Sequence, residues 1–110
     1  MTFGGSATSP LAFRVPAGAR SAIRAARKVR IAYVDEKGRR TRRTIWPIAM
    51  AYYVDVTLIG AWCELRSDYR HFRVDRIATS KVLDERFPEN HARLMAGWLA
   101  LPKDRPSLEH

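Results

Sequence analysis

VRIAYVDEKGRRTRRTIWPIAM, residues 29–50, is the stretch whose reading decides the fold. Val29, Ile31 and Tyr33 alternate with Arg30, Ala32 and Val34, the period of two that a half-buried strand needs. Asp35-Glu36-Lys37-Gly38 is a hairpin turn, with Gly38 able to take the positive φ such turns use. The return strand begins at Arg39 and runs toward Pro47, whose missing N–H implies an edge, a bulge or a bend. The apolar stretch Ile48 to Tyr53 continues it. A β-hairpin is therefore the seed of the fold.

Downstream, Val56 to Leu65 is apolar on both faces, as a central strand should be. Arg66-Ser67-Asp68 is a turn, and Tyr69 to Val74 is a strand with Phe72 and Val74 inward. Asp75-Arg76 breaks that strand, and Lys81-Val82-Leu83 is a last short one. After Pro88, Leu94, Met95, Trp98 and Leu99 fall on one face of a closing helix. Upstream, Pro16 suits a first helical turn, and Ala19, Ala22, Ile23 and Ala26 form an apolar stripe at helical spacing. The sum is mainly β. A small, five-stranded bent β-barrel of the SH3-like or Sm-like kind, over about residues 29–83, is expected between an N-terminal and a C-terminal helix.

The chain of 110 residues has room for one modest core. Residues 1–15 are linker-like, 16–100 form the single domain, and 101–107 read as a tail. Leu108-Glu109-His110 looks like the remnant of an expression tag, and with the linker-like start it suggests a domain cut from a longer chain. With 46% hydrophobic and 28% charged residues the chain has a globular profile. No run can span a bilayer, and no secretory signal is present, so a cytoplasmic protein without membrane association is expected. Cys63 is the single cysteine, which excludes an internal disulfide and a cysteine zinc framework. His71 and His91 sit in unrelated elements, and no phosphate loop or metal-ligand spacing occurs. These absences argue against an enzyme and against a metal or other cofactor.

What remains is arginine. The formal net charge is +9, a field that favours anionic partners. Lys37, Arg39, Arg40, Arg42 and Arg43 form a first cluster; its hairpin-tip members suit a solvated turn, whereas alternation sets Arg43 on the face of Ile45. Arg66, Arg70, Arg73 and Arg76 form a second. In an extended strand Tyr69, His71 and Arg73 share one face, a set suited to stacking on a base while holding a phosphate. Arg66, Arg70 and Arg73 are expected to converge on one groove, with Arg43 approaching from a neighbouring strand. Arg76, after Asp75 in a sharp turn, is equally suited to bracing the backbone.

The segment from Val29 to Arg86 resembles the WYL domain, the ligand-sensing module of bacterial helix-turn-helix transcriptional regulators of the DeoR type. Its landmarks here are the opening hairpin quoted above, AWCELRSDYRHFRVDRI (61–77) and VLDERFP (82–88). The name-giving Trp-Tyr-Leu position holds Thr57-Leu58-Ile59 instead, which keeps the strand apolar but removes the aromatic pair. The resemblance implies an Sm-like or SH3-like barrel and a regulatory domain binding a negatively charged ligand, a nucleotide or single-stranded nucleic acid. By position, Arg43, Arg66, Arg70, Arg73 and Arg76 match basic positions of the family pattern. Duplex DNA would be read only by an N-terminal winged helix-turn-helix absent from this chain. Regulators of this type usually read DNA as dimers, and the apolar Ile48 to Tyr53 stretch and the Trp98 helix suggest a homodimer. Two other readings stand beside it: a barrel that binds nucleic acid directly, and an SH3-like protein-interaction or dimerisation module.

Overall fold

A computed structural model describes residues 18–88, 91–101 and 108–109. The linker-like residues 1–15, Pro16 and nearly all of the 101–107 tail lie outside the described residues. The described residues form helix α1 (Ala19–Ala25), strands β1 (Arg27–Val34), β2 (Arg40–Tyr52), β3 (Thr57–Cys63), β4 (Asp68–Arg73) and β5 (Ile77–Arg86), and helix α2 (His91–Leu99). The five strands make one antiparallel sheet in the order β4-β3-β2-β1-β5.

This order forces the sheet to curl. A flat sheet would hold its two edge strands about 19 Å apart, from four spacings of about 4.8 Å. Yet β4 and β5 are joined only by the three-residue 3-10 turn Val74–Arg76. Four Cα–Cα steps reach at most about 14 Å. The edges must therefore approach, and Tyr33 of β1 reaches across to accept a hydrogen bond from the Arg73 N–H at 3.0 Å. Closure is incomplete, since β4 and β5 are not paired. The expected barrel is thus a curled, open sheet with a seam between its edges.

The inner face carries Val29, Ile31, Tyr33, Ile45, Ala61 and Phe72, with Ala22 of α1 completing the cluster. Alternation along the opening hairpin places these residues as the sequence expects, and Gly38 takes φ 81° at its turn. Pro47 resolves into a bulge: the register slips between Pro47 and Ala49, and Ile48 is the extra residue. Ile48 lies on the outer face, where it joins Phe87 and Leu94, and the slip sets Ala49 outward as well. Over that face lies α2, with Trp98 seated on Gly60. The seat requires glycine, because a Cβ on Gly60 would lie 2.5 Å from the Trp98 Nε1.

Two element boundaries differ from expectation. The last strand runs from Ile77 to Arg86, well beyond residues 81–83, because its partner β1 pairs with it from Arg27 to Tyr33. Leu99 stays 50% exposed at the end of α2, so only Leu94, Met95 and Trp98 of that stripe face the sheet. In the departed family position, Leu58 and Ile59 are both buried, so the strand keeps its place in the core.

Candidate anion-binding site

Residue 70 pairs with residue 61 and residue 69 with residue 62, so alternate residues of β4 look to opposite faces of the sheet. Arg70 shares the inner face with Ala61. Tyr69 and His71 look outward, toward α2. On β2, Arg43 pairs with Ile31 and so also faces inward; it is 5% exposed. Arg66 enters from the β3–β4 turn, where Ser67 adopts a left-handed φ of 50°.

These three arginines meet at one carboxylate. The Glu109 side chain accepts a hydrogen bond from Arg43 at 2.8 Å and two from Arg66 at 2.8 and 3.2 Å. The Arg70 Nε lies 3.7 Å away. Glu109 itself is 2% exposed. Its backbone is fixed as well. The Glu109 N–H donates to the His71 carbonyl at 2.9 Å, Leu108 forms a parallel bridge with His71, and the Tyr33 hydroxyl donates to the Glu109 carbonyl at 3.2 Å. Leu108-Glu109 thus lies along the β4 edge, in the seam the sheet leaves open. Burial alone would raise the Glu109 pKa, but the hydrogen bonds from Arg66 and Arg43 outweigh it and hold the carboxyl below its usual range. Burial likewise opposes charge on Arg43, and the Glu109 hydrogen bond reverses that, raising its pKa.

Outside the carboxylate, Arg43 and Arg66 line a cleft of about 490 Å³ together with Thr41 and the hairpin residues Asp35, Lys37 and Arg39. Asp35 caps its own turn by accepting the Lys37 and Arg39 N–H groups, both at 2.8 Å, and pairs with the Arg39 guanidinium. The cleft thus joins Lys37, Arg39 and Arg43 of the first basic cluster with Arg66 of the second, which alternation within single strands could not reveal.

Arg73 is elsewhere. Its guanidinium makes two bonds to Asp75 at 2.8 and 3.0 Å, so the turn brace assigned by sequence to Asp75-Arg76 is made by Arg73 with Asp75. Arg76 acts through its field, lowering the pKa of neighbouring Asp75 alongside Arg73. Tyr69 and His71 serve the docking of α2: Trp98 Nε1 donates to His71 Nε2 at 3.2 Å, and the Tyr69 hydroxyl donates to the Leu94 carbonyl at 3.4 Å. Tyr69 also lines an aromatic cleft of about 410 Å³ with Trp46, Trp62 and Arg93. Trp62 and Tyr69 meet edge-to-face at 5.2 Å. The stacking surface and the arginine pocket thus lie on opposite faces of the sheet. Cys63 is buried, with its sulfur 3.8 Å from Arg43 Nη1. Among the described residues no group of three or more His, Cys, Asp or Glu side chains is placed to hold a metal, and no helix is long and apolar enough to cross a membrane.

The fold and site define a class: a small curled β-sheet domain with an arginine pocket at its seam, holding a carboxylate. The chain belongs to the WYL domain family, whose model matches residues 15–82. All five arginines singled out in the sequence fall inside that match; α2 and Glu109 fall outside it. A solved structure, Proteasome accessory factor B/C (PafBC) of Arthrobacter aurescens, has the same fold, with a TM-score of 0.65 at 22% identity. The likeness covers 77% of this chain and 13% of that one. No curated protein matches the sequence.

Proposed function

We propose that this domain is the ligand-sensing part of a bacterial transcriptional regulator, and that Arg43, Arg66 and Arg70 hold the anionic group of its ligand. The observation that supports the reading is the buried Glu109 carboxylate, an anionic group held by two close guanidinium groups with a third within 4 Å. Without Glu109, Arg70 would keep its pair with Asp68 while Arg43 and Arg66 lost the carboxylate they share, an arrangement costly unless an anion or water screens it. A nucleotide or a short single-stranded nucleic acid supplies such an anion as phosphate. Duplex DNA would be read by a winged-helix domain outside this chain.

The test is titration of the full chain with a nucleoside triphosphate and with a short single-stranded oligonucleotide, for the parent protein and for Arg66→Ala. A charge-assisted hydrogen bond contributes roughly 1.5–3 kcal/mol, so Arg66→Ala should weaken binding by about 10- to 100-fold. Unchanged affinity would reject the pocket. Salt separates the runner-up, direct nucleic-acid binding along the surface, whose affinity would fall steeply with ionic strength. A third reading, a protein-interaction module, is favoured by the β2–β3 turn, where Tyr52 and Tyr53 are 57% and 54% exposed. Ile48 is fully covered within the sheet–α2 cluster to which Trp98 belongs, so a homodimer would have to use other apolar surface, Tyr52 and Tyr53 among it.

A further inference from the structure

We propose that the arginine pocket and the open edge of β4 together form a docking site for an extended acidic peptide, which adds parallel to β4 and inserts a glutamate side chain among Arg43, Arg66 and Arg70. The inference rests on the reading of that pocket as the ligand site, and it adds a ligand class recognised by its backbone as well as its charge.

In the order β4-β3-β2-β1-β5, β4 has a sheet neighbour on one side only. Its other edge offers backbone groups to a further strand, the usual footing of β-strand addition. Leu108-Glu109, tag-like in sequence, occupies that footing and stands in for the strand of such a peptide. The His71 carbonyl takes the Glu109 N–H, and the Tyr33 hydroxyl gives its proton to the Glu109 carbonyl. Both backbone groups of one residue are thereby held while its carboxylate reaches the guanidinium groups. A free carboxylate would satisfy only the arginines. An amino-acid residue in extended conformation satisfies everything the site presents. The same Tyr33 oxygen accepts the Arg73 N–H, so the docking position is fixed to β1 and β4 at once. Specificity is concentrated on one side chain. Glu109 is buried, whereas Leu108 is exposed, so the preceding side chain is not selected. Three cations around the acidic side chain select for charge. An aspartate, one methylene shorter, would not carry its carboxylate as far toward Arg43 and Arg66 as the glutamate that meets both at 2.8 Å.

The experiment supplies the strand in trans. A fluorescent, C-terminally amidated peptide with the sequence of residues 104–110 is titrated into the full chain carrying Glu109→Ala, with anisotropy as the readout. The peptide should bind, its Glu→Gln form at least about tenfold more weakly and its Glu→Asp form in between. The parent chain, whose own segment fills the seam, should bind the peptide at least about tenfold more weakly than the variant does. If Glu109→Ala melts early, Glu109→Gln replaces it, keeping the shape and losing the charge. Equal binding of the Glu and Gln peptides, or no binding by a folded variant, overturns the proposal. A short single-stranded oligonucleotide is titrated in parallel. If it binds in an Arg66-dependent way while the peptide does not, the peptide inference alone falls; if the peptide binds and no nucleotide or oligonucleotide does, the phosphate reading falls instead.

Discussion

Glu109 is the residue on which the site turns, and it was not legible in the sequence. Leu108-Glu109-His110 reads locally as a tag remnant, and the arginine partners of Glu109 lie 39 to 66 positions away. Arg43 was half legible, because strand alternation set it on the face of Ile45 and hence indoors. A buried guanidinium demands an acid, but alternation cannot say which one. The pair makes a pH prediction whose sign is fixed. The Glu109 carboxyl lies lower in the folded protein than its ordinary value near 4.5, so its contribution is complete above that value and is lost as pH falls through the folded value. Thermal melts of the parent and Glu109→Gln should differ most near neutral pH and converge below about pH 4. Curves that stay parallel down to pH 3 would show that the carboxylate is not held as described. At Arg73 the outcome is different. Its bond to Asp75 is partly exposed, and such pairs contribute only about 0.2–1 kcal/mol. Arg73→Ala should therefore lower the melting temperature slightly and leave nucleotide affinity within twofold of the parent. A large loss of affinity would restore the ligand role that the sequence assigned to it.

Elements were more legible than residues where their signal was local. The opening hairpin follows from alternation and Gly38, and β3 follows from its two apolar faces, since each needs only neighbouring residues. The last strand was read too short. Ile77-Ala78-Thr79-Ser80 shows no clear alternation, and its conformation is imposed by pairing with β1, a contact across some fifty residues. Tertiary pairing overrides weak local preference in this way. The position of α2 was likewise hidden, because nothing in a single sequence says that Gly60 is a seat for Trp98. Gly60→Ala tests that seat directly. A Cβ would fall 2.5–2.8 Å from three indole atoms, and a rigid ring cannot step aside without moving the helix. Overpacking of this kind costs typically about 1–3 kcal/mol, so the melting temperature should drop by several degrees. An unchanged melt would mean that α2 contributes little to stability.

At the scale of the whole molecule, the net charge of +9 was visible at once, but its meaning was not. Several of the basic residues are answered nearby: Lys28 by Glu64 and Glu85, Arg39 by Asp35, Arg73 by Asp75. Arg43, Arg66 and Arg70 meet where the curled sheet fails to close, against Glu109 and Asp68. The same incomplete closure leaves β4 unpaired along one edge. On the proposed ligand reading, ligand binding and the docking of Leu108-Glu109 compete for one place, and competition has a reciprocal consequence. Whatever factor the segment costs a nucleotide in affinity, the nucleotide must cost the segment in occupancy. Two measurements should then agree. Glu109→Ala should bind nucleotide more tightly than the parent, because no carboxylate has to be displaced. In the parent, the Glu109 amide is hydrogen-bonded to His71 and should be slow to exchange with solvent. Saturating nucleotide should speed that exchange, while the β1–β2 pairing at Ile31 and Arg43 stays protected. If nucleotide binds the parent and Glu109→Ala equally, and the Glu109 amide exchanges at the same rate with and without it, the ligand does not enter through the seam.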